Sequence, residues 1–187
     1  MPPAETRGVG FLENRCWPIQ RNSHAKADPI LIEGRNLTVR DFDEALDHYH
    51  MALREFAKGN SESLTKLFSH RGDVTVSGGF GGYFRGWEQV EKNTEMAASL
   101  FIDGVVTGFE NVSKYATPEL GYAVDIERFN AQLAGTEDIV PVALRVTSIF
   151  RREEGAWRLV HRHGDPITSV RPADSIVPKR VSHQRTG

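Results

Sequence analysis

The stretch from Val142 to Thr168, VALRVTSIFRREEGAWRLVHRHGDPIT, constrains the chain most. Val142 to Arg151 is rich in β-branched and aromatic residues. Arg152 to Ala156 is a polar connection containing Gly155, and Trp157 to His163 is a second strand-like run, stopped by Gly164-Asp165-Pro166. Runs of this composition bounded by Gly and Pro predict two strands joined as an antiparallel hairpin. Alternation along a strand puts Trp157, Leu159, His161 and His163 on one face and Arg158, Val160 and Arg162 on the other. Two imidazoles on one face, beside an arginine-bearing strand, make this hairpin the first place to look for function.

Upstream, Thr38 with Asp41 three residues later is close to a capping box, although Glu or Gln is the usual third residue. The apolar positions Val39, Phe42, Leu46, Tyr49, Leu53 and Phe56 then follow a helical stripe that stops at Gly59. On that stripe Tyr49 is either ordinary core or a hydroxyl aimed into a pocket, while His48 and His50 flank it as expected surface residues. Asn60 or Ser61 caps a short helix carrying Leu64, Leu67 and Phe68, and Asp73 to Ser77 reads as a strand. Gly78, Gly79, Gly81 and Gly82 around Phe80 lack the Lys-Ser/Thr of a phosphate loop and the context of a dinucleotide fingerprint, so a bent hairpin or a close backbone approach is expected. A third helix spans Gly86 to Phe101, with Trp87, Val90, Ala97 and Phe101 on its buried side. Strands Gly104–Val112 and Leu120–Phe129 precede a polar loop from Asn130 to Asp138. Helices followed by a strand meander predict an α+β domain, a curved antiparallel sheet covering helices. Residues 1–36 are expected as an arm with little regular structure, 37–170 as the domain, and 171–187 as a polar tail.

A length of 187 residues fits one domain with extensions. The net charge of −2 gives no electrostatic case for nucleic acid or membrane binding. Cys16 is the sole cysteine, which excludes an internal disulfide and fits a reducing, cytoplasmic setting. The N-terminus lacks the continuous apolar segment of a secretory signal, and no apolar run approaches the roughly 20 residues of a membrane span.

The element order, the ALREFAKGNSESLTKLF helix pair and the GAWRLVHRHGDP ending together resemble the nuclear transport factor 2-like superfamily, most closely its SnoaL-like (polyketide cyclase-like) branch. The ending is also similar to the association domain of calcium/calmodulin-dependent protein kinase II. The resemblance covers about residues 38–168. It implies a cone in which the sheet wraps the long first helix, and a homodimer formed through the sheet. Ketosteroid isomerase, a relative within that superfamily, implies a general base at or beside Gly78, a tyrosine near Ala52 and a second acid near Thr147 or Ser148. This chain keeps none of these, so steroid isomerisation by that constellation is not expected. The acid/base carboxylate of SnoaL-type cyclases has its nearest counterparts here in Asp125 and Glu127.

Placing Phe129 opposite Ala143, and Arg151 opposite Trp157, gives two cross-strand rows: Glu127–Arg145–His163 and Asp125–Thr147–His161. Neighbours in such rows stand about 5 Å apart. A carboxylate beside an imidazole raises its pKa and fixes its tautomer, and Arg145 is suited to grip a carboxylate or enolate oxygen. The expected catalytic residues are therefore His161, His163, Arg145, Glu127 and Asp125, with Tyr49, Thr147, Phe80 and Trp87 contacting a small apolar or carbonyl-containing ligand. Tyr122, Val124, Ile126, Leu144, Val146, Phe150 and Val160 share the opposite face and would serve as core. The reading is a cofactor-independent isomerase, cyclase or dehydratase. Two alternatives stand beside it: a non-catalytic binding or dimerisation module, and a metal enzyme using His161-x-His163, which Arg145 opposes. His70, Ser77 and Asp165 are weaker candidates, each better explained as a turn residue.

Overall fold

The computed structural model describes residues 29–176. Helix α1 spans Pro29–Ala57, α2 Glu62–Thr65, and a two-stranded ribbon follows as β1 (Thr75–Gly78) and β2 (Gly81–Arg85). Then come α3 (Trp87–Ser99), β3 (Phe101–Ala116), β4 (Leu120–Leu133), β5 (Ile139–Glu153), β6 (Ala156–Asp165) and a 3-10 turn at Ala173–Ile176. The expected α+β architecture is present: three helices and one six-stranded sheet in the order β2-β1-β6-β5-β4-β3. Every pairing is antiparallel except β1 with β6.

Two boundaries move. Helix α1 begins at Pro29, inside the segment expected as an irregular arm, so Thr38 is not its N-cap. Proline is well placed at a helix start because its missing N–H belongs to a turn with no intrahelical acceptor. The arm upstream of it, with Cys16, and the tail beyond Ile176 lie outside the described residues. Phe101 opens β3 instead of closing α3, and it is 7% exposed in a cluster with Ala57, Phe129 and Ala131.

The helical stripe is real. Phe42, Leu46, Tyr49, Ala52 and Leu53 are all buried. Gly59 ends the helix at φ +94, and the bonds Asn60 N–H to Glu55 O and Gly59 N–H to Phe56 O close a Schellman motif. Phe42 meets Phe150 and Trp157 edge to face at 5.6 and 5.1 Å, and Tyr49 meets Phe150 at 5.5 Å, which locks α1 against β5 and β6.

The register differs from expectation at three places: the β5–β6 turn pairs Trp157 with Arg152, not Arg151, and the other two matter most for function. Strands β4 and β5 run further toward their turn than composition indicates. There Thr136 bonds the Leu133 carbonyl through both its N–H and its hydroxyl, and Gln132 Nε2 donates to Thr136 O. That closure pairs Phe129 with Val142, not Ala143, so Glu127 faces Leu144 and Asp125 faces Val146. On β6 the ladder steps from Phe150↔Leu159 to Ile149↔His161, leaving Val160 as an extra residue in a bulge. Such a bulge breaks the in-out alternation. Consequently Trp157, Leu159, Arg162 and Gly164 face inward, while His161 and His163 face outward. The inner face is built from Ala123, Asp125, Glu127, Phe129, Val146, Ser148 and Phe150. The expected core residues Leu144, Val146 and Phe150 are on this side, but Tyr122, Val124, Ile126 and Val160 are on the other.

At the closed edge of the domain, Glu153 accepts hydrogen bonds from Ser69 Oγ (3.0 Å) and Arg151 Nε (2.9 Å), and Arg151 Nη1 also holds Asp73 at 2.7 Å. Burial alone would raise the Glu153 pKa, but these bonds outweigh it and hold the carboxyl below its ordinary value. A depressed folded pKa gives stability that is present above the unfolded pKa and lost as pH falls. Glu153→Gln is expected to cost about 1–3 kcal/mol in urea unfolding near neutral pH, and the gap to the wild type is expected to narrow as pH falls below the ordinary glutamate range and to close once folded Glu153 is itself protonated.

Candidate functional site

The inward positions of β4, β5 and β6 converge on α1. Tyr49 is fully buried, and its hydroxyl donates to Glu127 Oε1 at 3.1 Å while accepting from Ser148 Oγ at 3.0 Å. Arg162 Nη2 donates to Glu127 Oε2 at 2.6 Å. Gly164 makes room for that guanidinium: a Cβ there would stand 3.0 Å from Arg162 Nη1. One turn along the sheet, Asn111 Nδ2 donates to Asp125 Oδ1 at 2.7 Å, and His50 Nε2 lies 3.7 Å from Asp125 Oδ2.

Glu127 and Arg162 line a cavity of about 310 Å³ between α1, the sheet and the β1–β2 ribbon. Its walls are mostly aromatic and aliphatic, including Phe56, Phe68, Phe101, Phe109, Phe129 and Leu144. Phe80 also lines it but is 55% exposed, which places it at the mouth, against Phe101.

Burial pushes the Glu127 carboxyl above its ordinary pKa, against the opposing pull of the Arg162 charge and the Tyr49 hydrogen bond. Burial likewise raises the Tyr49 phenol, which stays a neutral donor. Burial works against the Arg162 charge, but Glu127 more than compensates, and the guanidinium stays charged. The cavity therefore ends in an ion pair whose carboxylate has raised proton affinity, held on both oxygens and out of water.

The residues expected from the sequence separate into two groups. Glu127 and Phe80 line the cavity, Tyr49 holds Glu127 from behind, and Asp125 is buried on the same inner face. Arg145, Thr147, His161 and His163 do not join them: they lie on the outer face, so neither proposed row exists. Arg145 pairs there with Asp165 at 2.9 Å, and His163 Nε2 is 4.0 Å from the same carboxylate. His161 Nδ1 meets Thr75 Oγ1 at 2.8 Å, and its pKa is lowered by burial and by His163. Trp87 stacks on His70 at 3.9 Å and packs at the edge of the core, away from the cavity lining. The guanidinium that lines the cavity is that of Arg162, on the face that alternation assigns opposite the histidines. Ser148 and His50 were also missed. The signal available for them was indirect: two acids on a strand that must be buried require inward partners. Among the described residues no three His, Cys, Asp or Glu side chains converge as a metal site.

The fold is that of the nuclear transport factor 2-like class. A nuclear transport factor 2-like superfamily protein from Salmonella enterica serovar Typhimurium superposes with a TM-score of 0.61 at 15% identity, covering 74% of this chain and 97% of that one. A candidate dehydratase of the same family from Streptomyces avermitilis gives 0.59 at 15%, covering 72% and 99%. A candidate calcium/calmodulin-dependent protein kinase type II association domain from Thiobacillus denitrificans gives 0.54 at 16%, covering 66% and 93%. Within that class the chain belongs to the SnoaL-like domain family, whose model matches residues 43–168. No curated protein matches the sequence.

Proposed function

We propose that this chain is a cofactor-independent small-molecule enzyme of SnoaL-like type, an isomerase, cyclase or dehydratase in which Glu127 moves a proton on a carbonyl compound held in the cavity. The observation that carries this reading is a buried carboxylate of raised proton affinity at the inner end of an apolar cavity. A general base is most effective when its pKa lies near the working pH, and desolvation moves a glutamate in that direction. In this reading Glu127 takes a proton from the carbon beside the carbonyl. Arg162 stands close enough to steady the oxyanion that forms, and Tyr49 and Ser148 fix the carboxylate's orientation.

The cavity also narrows the ligand. A volume of about 310 Å³ is at the small end of the usual ~300–1,000 Å³ for small-molecule sites. Arg162 is already neutralised by Glu127, and Asp125 adds a second buried carboxylate. A ligand carboxylate would meet no free cation at this end, so a neutral and largely apolar carbonyl compound fits best.

The test is proton exchange. Incubated in deuterated water with neutral cyclic ketones, the protein is expected to speed exchange at the carbon beside the carbonyl, read by proton NMR. Leu144→Trp, which fills the cavity from its wall, is expected to abolish both that exchange and the binding of a neutral apolar dye. Dye binding without exchange by any ketone would favour the non-catalytic binding module. That outcome has its own support, because both Glu127 oxygens already have partners.

A further inference from the structure

His50 is unusual among the buried polar groups. Its side chain is 22% exposed, but its Nε2 is out of contact with solvent and has no hydrogen-bond partner among the described residues, and it lies 3.7 Å from Asp125 Oδ2. The ring is stacked almost flat on Phe109, with centroids 4.0 Å apart and planes at 10°. Phe109 in turn lines the cavity. The imidazole is thus pinned between a cavity wall and a buried carboxylate, and neither the folding core nor the proposed base requires it there.

The charge count of the cluster explains it. Asp125 and Glu127 are 1% and 3% exposed, on the same inner face of β4 two residues apart. Among the described residues only one permanent cation, Arg162, is bonded to either of them. With Tyr49 neutral, two carboxylates and one guanidinium leave a buried net charge of −1. An uncompensated buried charge is costly, and the protein lowers that cost by holding one proton. An unprotonated Nε2 would confront the Asp125 carboxylate lone pair to lone pair. An N–H at the same place, which the neutral Nε2–H tautomer supplies without an added proton, faces an acceptor, and about 1 Å of movement turns the contact into a hydrogen bond to a charged acceptor.

We propose that His50 is a positioning residue whose contact with Asp125 couples it to the Asp125–Glu127 carboxylate pair, and so helps set whether Glu127 faces the cavity as a base or as an acid. The groups around the imidazole bear on this from each side. From α1 come Tyr49 and Arg54, whose guanidinium carbon is 5.4 Å from the centre of the Phe109 ring. Strand β3 supplies neutral Asn111, β4 supplies both carboxylates, and Arg162 reaches in from β6. Arg54 opposes a charge on His50, and the carboxylates favour it. Glu127 responds to the same set: beyond burial and Arg162, a charged Asp125 raises its pKa and a charged His50 lowers it. Interacting acids of this kind titrate as a unit, so a change at one site moves the others.

The inference rests on Glu127 as the proposed proton carrier, but its test does not read activity. The Glu127 carboxyl carbon is followed by NMR against pH in the full chain, in the wild type, His50→Gln and Asp125→Asn. His50→Gln is expected to raise the Glu127 midpoint by about one pH unit, a tenfold change in proton affinity, and Asp125→Asn to lower it by a similar amount. A Glu127 midpoint unmoved in either folded variant overturns the proposal, and the two substitutions, one on α1 and one on β4, keep the test available if one of them fails to fold. Absence of ketone exchange in the wild type would remove Glu127 as a catalytic base and leave these titrations unaffected.

Discussion

Glu127→Gln is expected to slow ketone proton exchange by about 10²- to 10⁴-fold, the usual contribution of a positioned general base. Gln keeps the shape of Glu and still accepts from Tyr49 or Arg162, so the cavity wall and dye binding are expected to persist. The discriminating result is therefore a fall in rate at nearly constant affinity. A variant that exchanges at the wild-type rate would show that the carboxylate only packs and that exchange, if seen, arises elsewhere in the cavity. The same substitution bears on the site's pH dependence. With a raised pKa, Glu127 is a competent base only above its folded-state midpoint, so wild-type exchange is expected to rise with pH through that midpoint.

The second large effect is structural. Arg162→Met leaves Glu127 buried beside Asp125 without its cation and is expected to destabilise the fold by about 3–5 kcal/mol near neutral pH. The sign of the pH dependence follows from linkage. In the wild type the Glu127 pKa is already raised, so its folding contribution is most favourable at low pH and is lost as pH rises through the folded midpoint. Removing Arg162 moves that midpoint higher still. The stability deficit of Arg162→Met is thus expected to be small in acid, where Glu127 is protonated, and to grow toward neutral pH. Urea unfolding at several pH values reads this directly. The double change Glu127→Gln with Arg162→Met is expected to recover much of the loss, because no isolated Glu127 charge remains. A deficit independent of pH, or a double variant as unstable as Arg162→Met, would mean that Arg162 matters for packing rather than for charge.

Much of the fold was legible because its signals are local. The stripe from Phe42 to Leu53, the stop at Gly59 and the Gly- and Pro-bounded strands each follow from backbone preferences over a few residues. The start of α1 was not, because a helix needs no capping box to continue backward through Ile30, Leu31 and Ile32, and Pro29 permits it. The site was half legible. Tyr49 lies on a helical stripe whose inner face periodicity fixes, whereas alternation puts Asp125 and Glu127 on one face of β4 and Tyr122, Val124 and Ile126 on the other without choosing which is buried. Arg145, Thr147, His161 and His163 were assigned to that face by counting across two turns. Turn closure at Leu133–Thr136 moved one count by a residue, and the extra Val160 moved the other. Neither offset is written in the composition of the strands. Each is decided by how a turn is hydrogen-bonded and by which large side chains, here Phe150 and Leu159, must pair in the core.

The bulge at Val160 consequently works as a selector. The segment His161-Arg162-His163 carries two alternative sets of chemistry, a pair of imidazoles and a guanidinium, pointing in opposite directions. A straight β6 in continuous alternation from Trp157 would turn both imidazoles toward Glu127 and Asp125 and expel the guanidinium to solvent. The interior would then trade a permanent cation for titratable ones, with no change in the identity of these three residues. One residue of contour length, not a substitution, separates a cavity closed by an ion pair from one closed by a histidine cluster. For chains of this design, the spacing between the last core aromatic of β5 and the inward basic residue of β6 therefore carries as much chemical information as the residues themselves.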